Sequence, residues 1–219
     1  GGIIGYLLAK KVQMIQMPQM VALLNGFGGG ASALVALVEI LERYGPMTSF
    51  GRFTSLLALV VGSITLSGSF IAAGKLDRRI PQRPVIIPYH SIISNSILGL
   101  IVLLILWVLV GQITSISMIS VIIMFLALTY GVMFAIRVGG ADMPITISLL
   151  NSFSGLAGAI CGFTIGDPLL VAVGAIVGAS GIILTQIMCN AMNRSLLDIL
   201  KGKKLERTVK KLSLKQKIQ

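Results

Sequence analysis

The chain has 219 residues, of which 55% are hydrophobic and 11% charged, less than half the ~25% charged fraction usual in soluble domains. With a mean hydropathy of +0.95, this composition excludes an ordinary soluble globular fold. The net charge of +11 raises nucleic acid as a partner, but the basic residues flank long apolar runs instead of interleaving with aromatics on a polar domain, which excludes that class too.

Residues 1–9 are apolar but too short to cross a bilayer, and they read as a truncated helix that begins inside a larger frame. The pair Lys10-Lys11 follows this stretch instead of preceding it, unlike the basic head of a signal peptide. Five charge-free runs come next, at 12–38, 53–74, 84–136, 143–166 and 168–193. A span needs ~20 such residues, so the third run, 53 residues long, holds two, with a turn at Gly111-Gln112-Ile113-Thr114-Ser115. The predicted spans are 18–41, 53–74, 91–110, 117–136, 143–163 and 168–191.

Each run is continuously apolar, whereas a membrane β-strand alternates over only ~10 residues. The expected fold class is therefore all-α, a polytopic transmembrane helix bundle of about six complete spans. Residues 1–200 form the transmembrane domain and 201–219 a basic tail. That tail carries eight basic residues, with Leu205, Val209 and Leu212 at helical spacing. It either lies on an anionic leaflet or is a solvated arm, and both readings stand.

Charge sets the expected orientation. Lys10 and Lys11, the loop group Lys75, Arg78, Arg79 and Arg83, then Arg137, and nine basic residues from Arg194 to Lys217 all fall on one side. The other side holds only Arg43 and Arg52, beside Glu39 and Glu42, which mark the water boundary of the first span. The positive-inside rule makes the first side cytoplasmic.

A parallel internal repeat is present. Met17-Pro18-Gln19-Met20-Val21-Ala22-Leu23-Leu24-Asn25-Gly26-Phe27 recurs 126 residues later as Met143-Pro144-Ile145-Thr146-Ile147-Ser148-Leu149-Leu150-Asn151-Ser152-Phe153, and both copies start on the same side. In each, Pro opens the helix where its missing N–H costs nothing, and an Asn follows seven residues on, ~10 Å into the hydrocarbon. A buried amide needs partners, so Asn25 and Asn151 serve either as interhelical glue or as a polar site. Ser148, Asn151, Gly155 and Gly158 are expected to share one face of the fifth span. Gly174, Gly178, Gly181, Thr185 and Cys189 form a matching stripe on the sixth, where small residues permit close helix approach.

The segments Ala9-Lys10-Lys11-Val12-Gln13-Met14, Gly139-Gly140-Ala141-Asp142-Met143-Pro144, Leu150-Asn151-Ser152-Phe153-Ser154-Gly155 and Val177-Gly178-Ala179-Ser180-Gly181 resemble the proton-translocating NAD(P) transhydrogenases. So does Ile187-Met188-Cys189-Asn190-Ala191-Met192-Asn193-Arg194-Ser195; the part of the family concerned is the membrane domain of the β subunit, and the resemblance covers about residues 1–200. It implies a membrane proton-channel component that couples proton translocation to hydride transfer between NAD(H) and NADP(H). The hydride step itself takes place on partner domains. It further implies an enzyme complex of the cell (inner) membrane, with an α subunit, an NADP-binding domain on another chain and a dimeric assembly. Carried over, Asn151, Asn25, Ser148 and Gly181 belong to the proton path. Asp142 and Arg194 belong to the membrane face that meets the NADP-binding domain, and they are expected to pair.

Two departures bear on mechanism. Asn25 stands where many relatives carry a titratable His, so the proton carrier is expected to be a water chain or a group on a partner. No βαβ pattern follows the last span, and no cofactor is expected on these residues; the G-x-G-x-x-A match at 26–31 lies inside a span and reads as a close-packing surface. The only histidine, His90, reads as an interfacial residue at a span start, and Cys161 and Cys189 as reduced packing residues without a metal set. The competing class is a non-enzymatic membrane transporter or an inactive remnant of the transhydrogenase. Intact Asn repeats disfavour the remnant, and the lack of mid-membrane charge disfavours the transporter.

Overall fold

A computed structural model describes residues 2–42, 48–85, 87–111 and 116–201. Among these the chain is helical without strands: α1 (Gly2–Lys11), α2 (Met17–Glu42), α3 (Ser49–Leu76), α4 (His90–Val110), α5 (Ile116–Ile136), α6 (Met143–Ile165), α7 (Pro168–Ala191) and α8 (Leu196–Lys201). Six of them, α2 to α7, are long and apolar enough to cross a membrane, as the charge-free runs predict. The largest boundary difference is at α3, which starts at Ser49 and not at Phe53 because Thr48 caps it. Thr48 Oγ1 accepts the Gly51 N–H at 3.1 Å, so the helix begins before Arg52. Arg43, the turn at 112–115 and the tail at 202–219, with Leu205, Val209 and Leu212, lie outside the described residues.

The centre of the bundle is α3 and α6, which bury most of their residues, while α4 and α7 leave most of theirs on the outside. Helix α2 runs antiparallel to α3, with Gly26 opposite Ser69 and Gly29 opposite Thr65. It runs parallel to α6, with Asn25 opposite Ile147 and Gly28 opposite Ser154, the relation that the internal repeat requires. Gly26 and Gly29, two residues of the G-x-G-x-x-A match, are thus packing positions against α3.

A tight hairpin joins α6 to α7, and its sequence explains it. Gly166 takes the left-handed conformation (φ 73°) that ends α6, and the Asp167 N–H returns to Gly162 O at 2.9 Å. Asp167 then caps α7, its Oδ1 accepting from the Leu169 and Leu170 N–H groups at 2.9 and 3.1 Å, with Pro168 in the first turn. The buried apolar side chains fall into two clusters. One holds Ala36, Leu56, Leu59, Ile101, Ile123 and Ile160. The other, at the end that carries the loops 77–89 and 137–142, holds Ala22, Ala72, Val138, Met143, Leu150 and Cys189.

Candidate functional site: a polar belt and an ion pair

Between the two apolar clusters lies a belt of small polar residues. Asn25, eight residues into α2, is 8% exposed, and its Nδ2 donates to Ile147 O at 3.4 Å. The bond crosses from α2 to α6, and no second hydrogen bond of this amide to a described residue is seen. On α3, the Thr65 hydroxyl bonds back to Val61 O at 2.7 Å and that of Ser67 to Ser63 O at 3.1 Å, as hydroxyls in helices commonly do. Ser69 Oγ differs: it is buried and has no hydrogen-bond partner among the described residues. It sits beside Gly26, where an added Cβ would come to 3.0 Å of Ser69 Cβ.

Asn151 is half-buried and hydrogen-bonds to no described residue. It lies in the stripe Ile147, Asn151, Ser154, whose two ends touch Asn25 and Gly28 of α2. Ser148, Asn151, Gly155 and Gly158, which share one face at helical spacing, do not all meet the same neighbour. The residues of α6 that meet α7 include Ser148, Ser152, Gly155, Ala159 and Gly162, while a Cβ at Gly158 would meet nothing within 4 Å. The four differ because the α6–α7 contact follows the i, i+4, i+7 row from Ser148, and Asn151 falls off that row toward α2.

The seam between α6 and α7 is closed. The buried residues of α7 are Gly174, Gly178, Gly181, Thr185 and Cys189, the stripe anticipated from spacing. A Cβ on Gly181 would lie 2.8 Å from both Cα and N of Ser152, so the two backbones are in contact there. Hydroxyls rivet the seam: Ser152 Oγ donates to Gly178 O at 2.7 Å and Ser148 Oγ to Gly181 O at 3.3 Å. Thr185 Oγ1 sits 2.7 Å from Gly181 O and 3.0 Å from Ser148 Oγ. Every one of these hydroxyls is therefore engaged, in contrast to Ser69.

At the loop-bearing end, Asp142 and Arg194 meet as expected, in a two-point ion pair: Nε to Oδ1 at 3.1 Å and Nη2 to Oδ2 at 2.8 Å. The local sequence aims the arginine. Asn193 adopts the left-handed conformation (φ 50°), its N–H bonds Asn190 O at 3.1 Å, and the Arg194 N–H bonds Cys189 O at 2.8 Å. This is the Schellman ending of a helix with Asn in the glycine position, and it turns residue 194 back over the end of α7. Asp142 ends a 3-10 turn at Gly140–Asp142 that leads directly into α6.

Two residues read as peripheral in the sequence are interior. Lys75 is not part of a loop but of the last turn of α3, fully buried, with Nζ donating to the carbonyls of Ile136 and Val138, the latter at 2.7 Å. His90 is the first residue of α4, the span start at which the sequence places it, and is buried, its Nδ1 without a hydrogen-bond partner among the described residues. Nothing in the spacing separates Lys75 from the other span-end cations. Ser69 had a legible signal, the run Ser63-Ile64-Thr65-Leu66-Ser67-Gly68-Ser69, which is hydroxyl-rich for a span. Among the described residues no cluster of three His, Cys, Asp or Glu side chains is present to hold a metal, and Cys161 and Cys189 are free and buried.

Six apolar helices around amides and hydroxyls define a multi-pass helical membrane protein whose polar chemistry lies in its interior. Comparison of sequences narrows this. Residues 1–219 match the family described as "NAD(P) transhydrogenase beta subunit", and the chain belongs to that family. Two relatives from Rhodospirillum rubrum, each named NAD(P) transhydrogenase subunit beta, are 43% identical over 210 residues, which cover 92% of this chain and 44% of each relative. The chain thus spans less than half the length of the curated relatives it matches.

Proposed function

We propose that this chain is the membrane proton-channel component of a proton-translocating NAD(P) transhydrogenase. It acts with an α subunit and an NADP-binding domain, in a dimeric assembly of the cell inner membrane whose basic loops face the cytoplasm. Hydride passes between NAD(H) and NADP(H) on the partner domains, and this chain binds neither nucleotide. Its part is to let protons cross in step with that exchange.

The observation that carries the reading is the incompletely satisfied belt between α2, α3 and α6. Asn25 has a single bond, Asn151 and Ser69 have none to described residues, and all three lie between two apolar clusters. Unspent donors and acceptors at that depth suit a short chain of waters, which carries protons where no side chain titrates. The α6–α7 seam is unsuited to the same task, because its backbones touch and its hydroxyls are already engaged. Asn25 and Asn151 accordingly line the route, while Ser148 and Gly181 hold its far wall. Asp142 and Arg194, joined at the mouth of α6, transmit the nucleotide state of the neighbouring domain, and the coupling runs both ways in its equilibrium terms.

The test begins with the complex purified from native membranes in mild detergent, with mass spectrometry of what accompanies the chain. Recovery of NAD- and NADP-binding domains is expected, and in that preparation Asn151→Leu abolishes proton-coupled turnover while leaving the bundle folded. Recovery of the chain without nucleotide-binding domains would favour an independent transporter, and retained coupling in Asn151→Leu would reduce Asn151 to a packing residue.

A further inference from the structure

The family role leaves one fully buried ionisable side chain unexplained. Lys75 has no exposed surface, and an ammonium is costly to bury unless its protons are used. Two of them are, on Ile136 O and Val138 O. Ile136 is the last residue of α5, so its carbonyl has no partner within the helix and belongs to the negative end of the helix dipole. Val138 lies two residues further on, inside the link 137–142 that runs from α5 to Asp142.

The segment just after Lys75 holds the same link: the Gly140 N–H bonds Gln82 O at 2.8 Å, and the Val85 N–H bonds Ile136 O at 3.2 Å. Cβ atoms on Gly139 and Gly140 would come to 3.3 Å of Pro84 and 3.1 Å of Gln82, so the two strands of chain lie flush. The link then closes on itself, with the Asp142 N–H bonded to Gly139 O at 3.0 Å, and Val138 packs its side chain inside. A continuous set of contacts thus runs from Lys75 Nζ through the link to Asp142, whose carboxylate meets Arg194.

We propose that Lys75 is a positioning residue for the Asp142–Arg194 pair: its ammonium fixes the α5–α6 link at Ile136 and Val138 and so holds the Asp142 carboxylate in register with the guanidinium. The effect on coupling rests on the functional reading above; the effect on geometry does not. A lysine does this where a neutral side chain cannot, because its long stem brings a positive charge with three donors to two carbonyls at once, one of them past the helix end.

The experiment uses the complex in its native membranes, with Lys75→Met, which keeps the volume and removes charge and donors. The Asp142 carboxylate is probed with a water-soluble carbodiimide and an amine, and read by peptide mass spectrometry. Cys161, 3% exposed in the other apolar cluster, is probed with a maleimide as the check on the bundle. The expected result is an increase of Asp142 labelling of at least about tenfold, since the loss of even one charge-assisted hydrogen bond shifts a population by about that factor and Lys75→Met removes two, while Cys161 stays protected. Lys75→Arg restores most of the protection. Wild-type labelling of Asp142 in Lys75→Met overturns the proposal, and so does an equal rise at Cys161, which would mean general loosening. If Lys75→Met does not accumulate, Lys75→Gln carries the same measurement, with a smaller rise expected.

A second arm reads coupled turnover in the four proteins of a Lys75→Met, Asp142→Asn cycle. If Lys75 acts through Asp142, Lys75→Met costs activity in the wild-type background and nothing further in Asp142→Asn; independent, multiplying losses overturn the positioning role. Wild-type coupling in Asp142→Asn itself would remove the ion pair from the functional reading, and the labelling result then decides Lys75 alone.

Discussion

Replacing single glycines by alanine along α6 and α7 separates positions that look alike in sequence. At Gly181 the new Cβ would lie 2.8 Å from Ser152 Cα and N and 2.9 Å from its Cβ, against the ~3.5–4.0 Å of a relaxed carbon contact. The atoms opposite are mostly backbone, so they cannot turn aside, and α7 must move outward by about 1 Å. Overpacking of this kind costs about 1–3 kcal/mol. The outward shift also stretches the Ser148 to Gly181 and Ser152 to Gly178 bonds, worth about 0.6 kcal/mol each in a membrane bundle. The expected destabilisation is therefore about 2–4 kcal/mol. Gly178→Ala, three residues away in the same stripe, meets Leu156 N at 3.4 Å and Ser152 O at 3.5 Å, ordinary contacts, and should be nearly neutral. Gly158→Ala meets nothing within 4 Å and should gain the ~0.8–1 kcal/mol by which Ala exceeds Gly in a helix. The assay is the thermal midpoint of the purified complex in one detergent, with helicity followed by circular dichroism. An order other than Gly158→Ala, then Gly178→Ala, then Gly181→Ala, or an unchanged midpoint for Gly181→Ala, would refute the reasoning.

The ion pair and the belt give two more tests. Asp142→Arg alone sets two guanidinium groups against each other and should cost about 3–5 kcal/mol, the range for a disrupted buried pair, lessened here because Arg194 is about a quarter exposed; the reversal Asp142→Arg with Arg194→Asp should recover much of the thermal midpoint. Midpoints that do not recover would mean that the Schellman turn, and not the charge pair, holds this end together. Ser69→Ala removes a hydroxyl that has no partner among the described residues, so stability should stay within ~0.5 kcal/mol of wild type while proton-coupled turnover falls at least about tenfold; undiminished coupling would take Ser69 out of the route.

The sequence by itself determined the class of fold and the set of spans. Charge-free runs of more than 20 residues leave no alternative to helices in a bilayer, because an unpaired backbone in hydrocarbon is too costly, and the structure ends its helices within a few residues of those runs. The stripe from Gly174 to Cys189 was legible for a similar reason: helical periodicity alone collects small residues on one side. The pairing of Asp142 with Arg194 followed from opposite charges at adjoining span ends.

Which neighbour each side chain meets is another matter, since periodicity gives a face but not what lies opposite. Asn151 and Ser148 are three residues apart on α6, yet one lies toward α2 and the other is bonded to α7. Lys75 reads as one more cation at a span end until α5 stops beside it with a carbonyl in need of a donor. Ser69 is one hydroxyl among several on α3, and only the packing around it decides that its buried Oγ is left without a partner among the described residues. The tertiary structure decided these because the satisfaction of a buried polar group depends on the atoms brought against it from elsewhere in the chain.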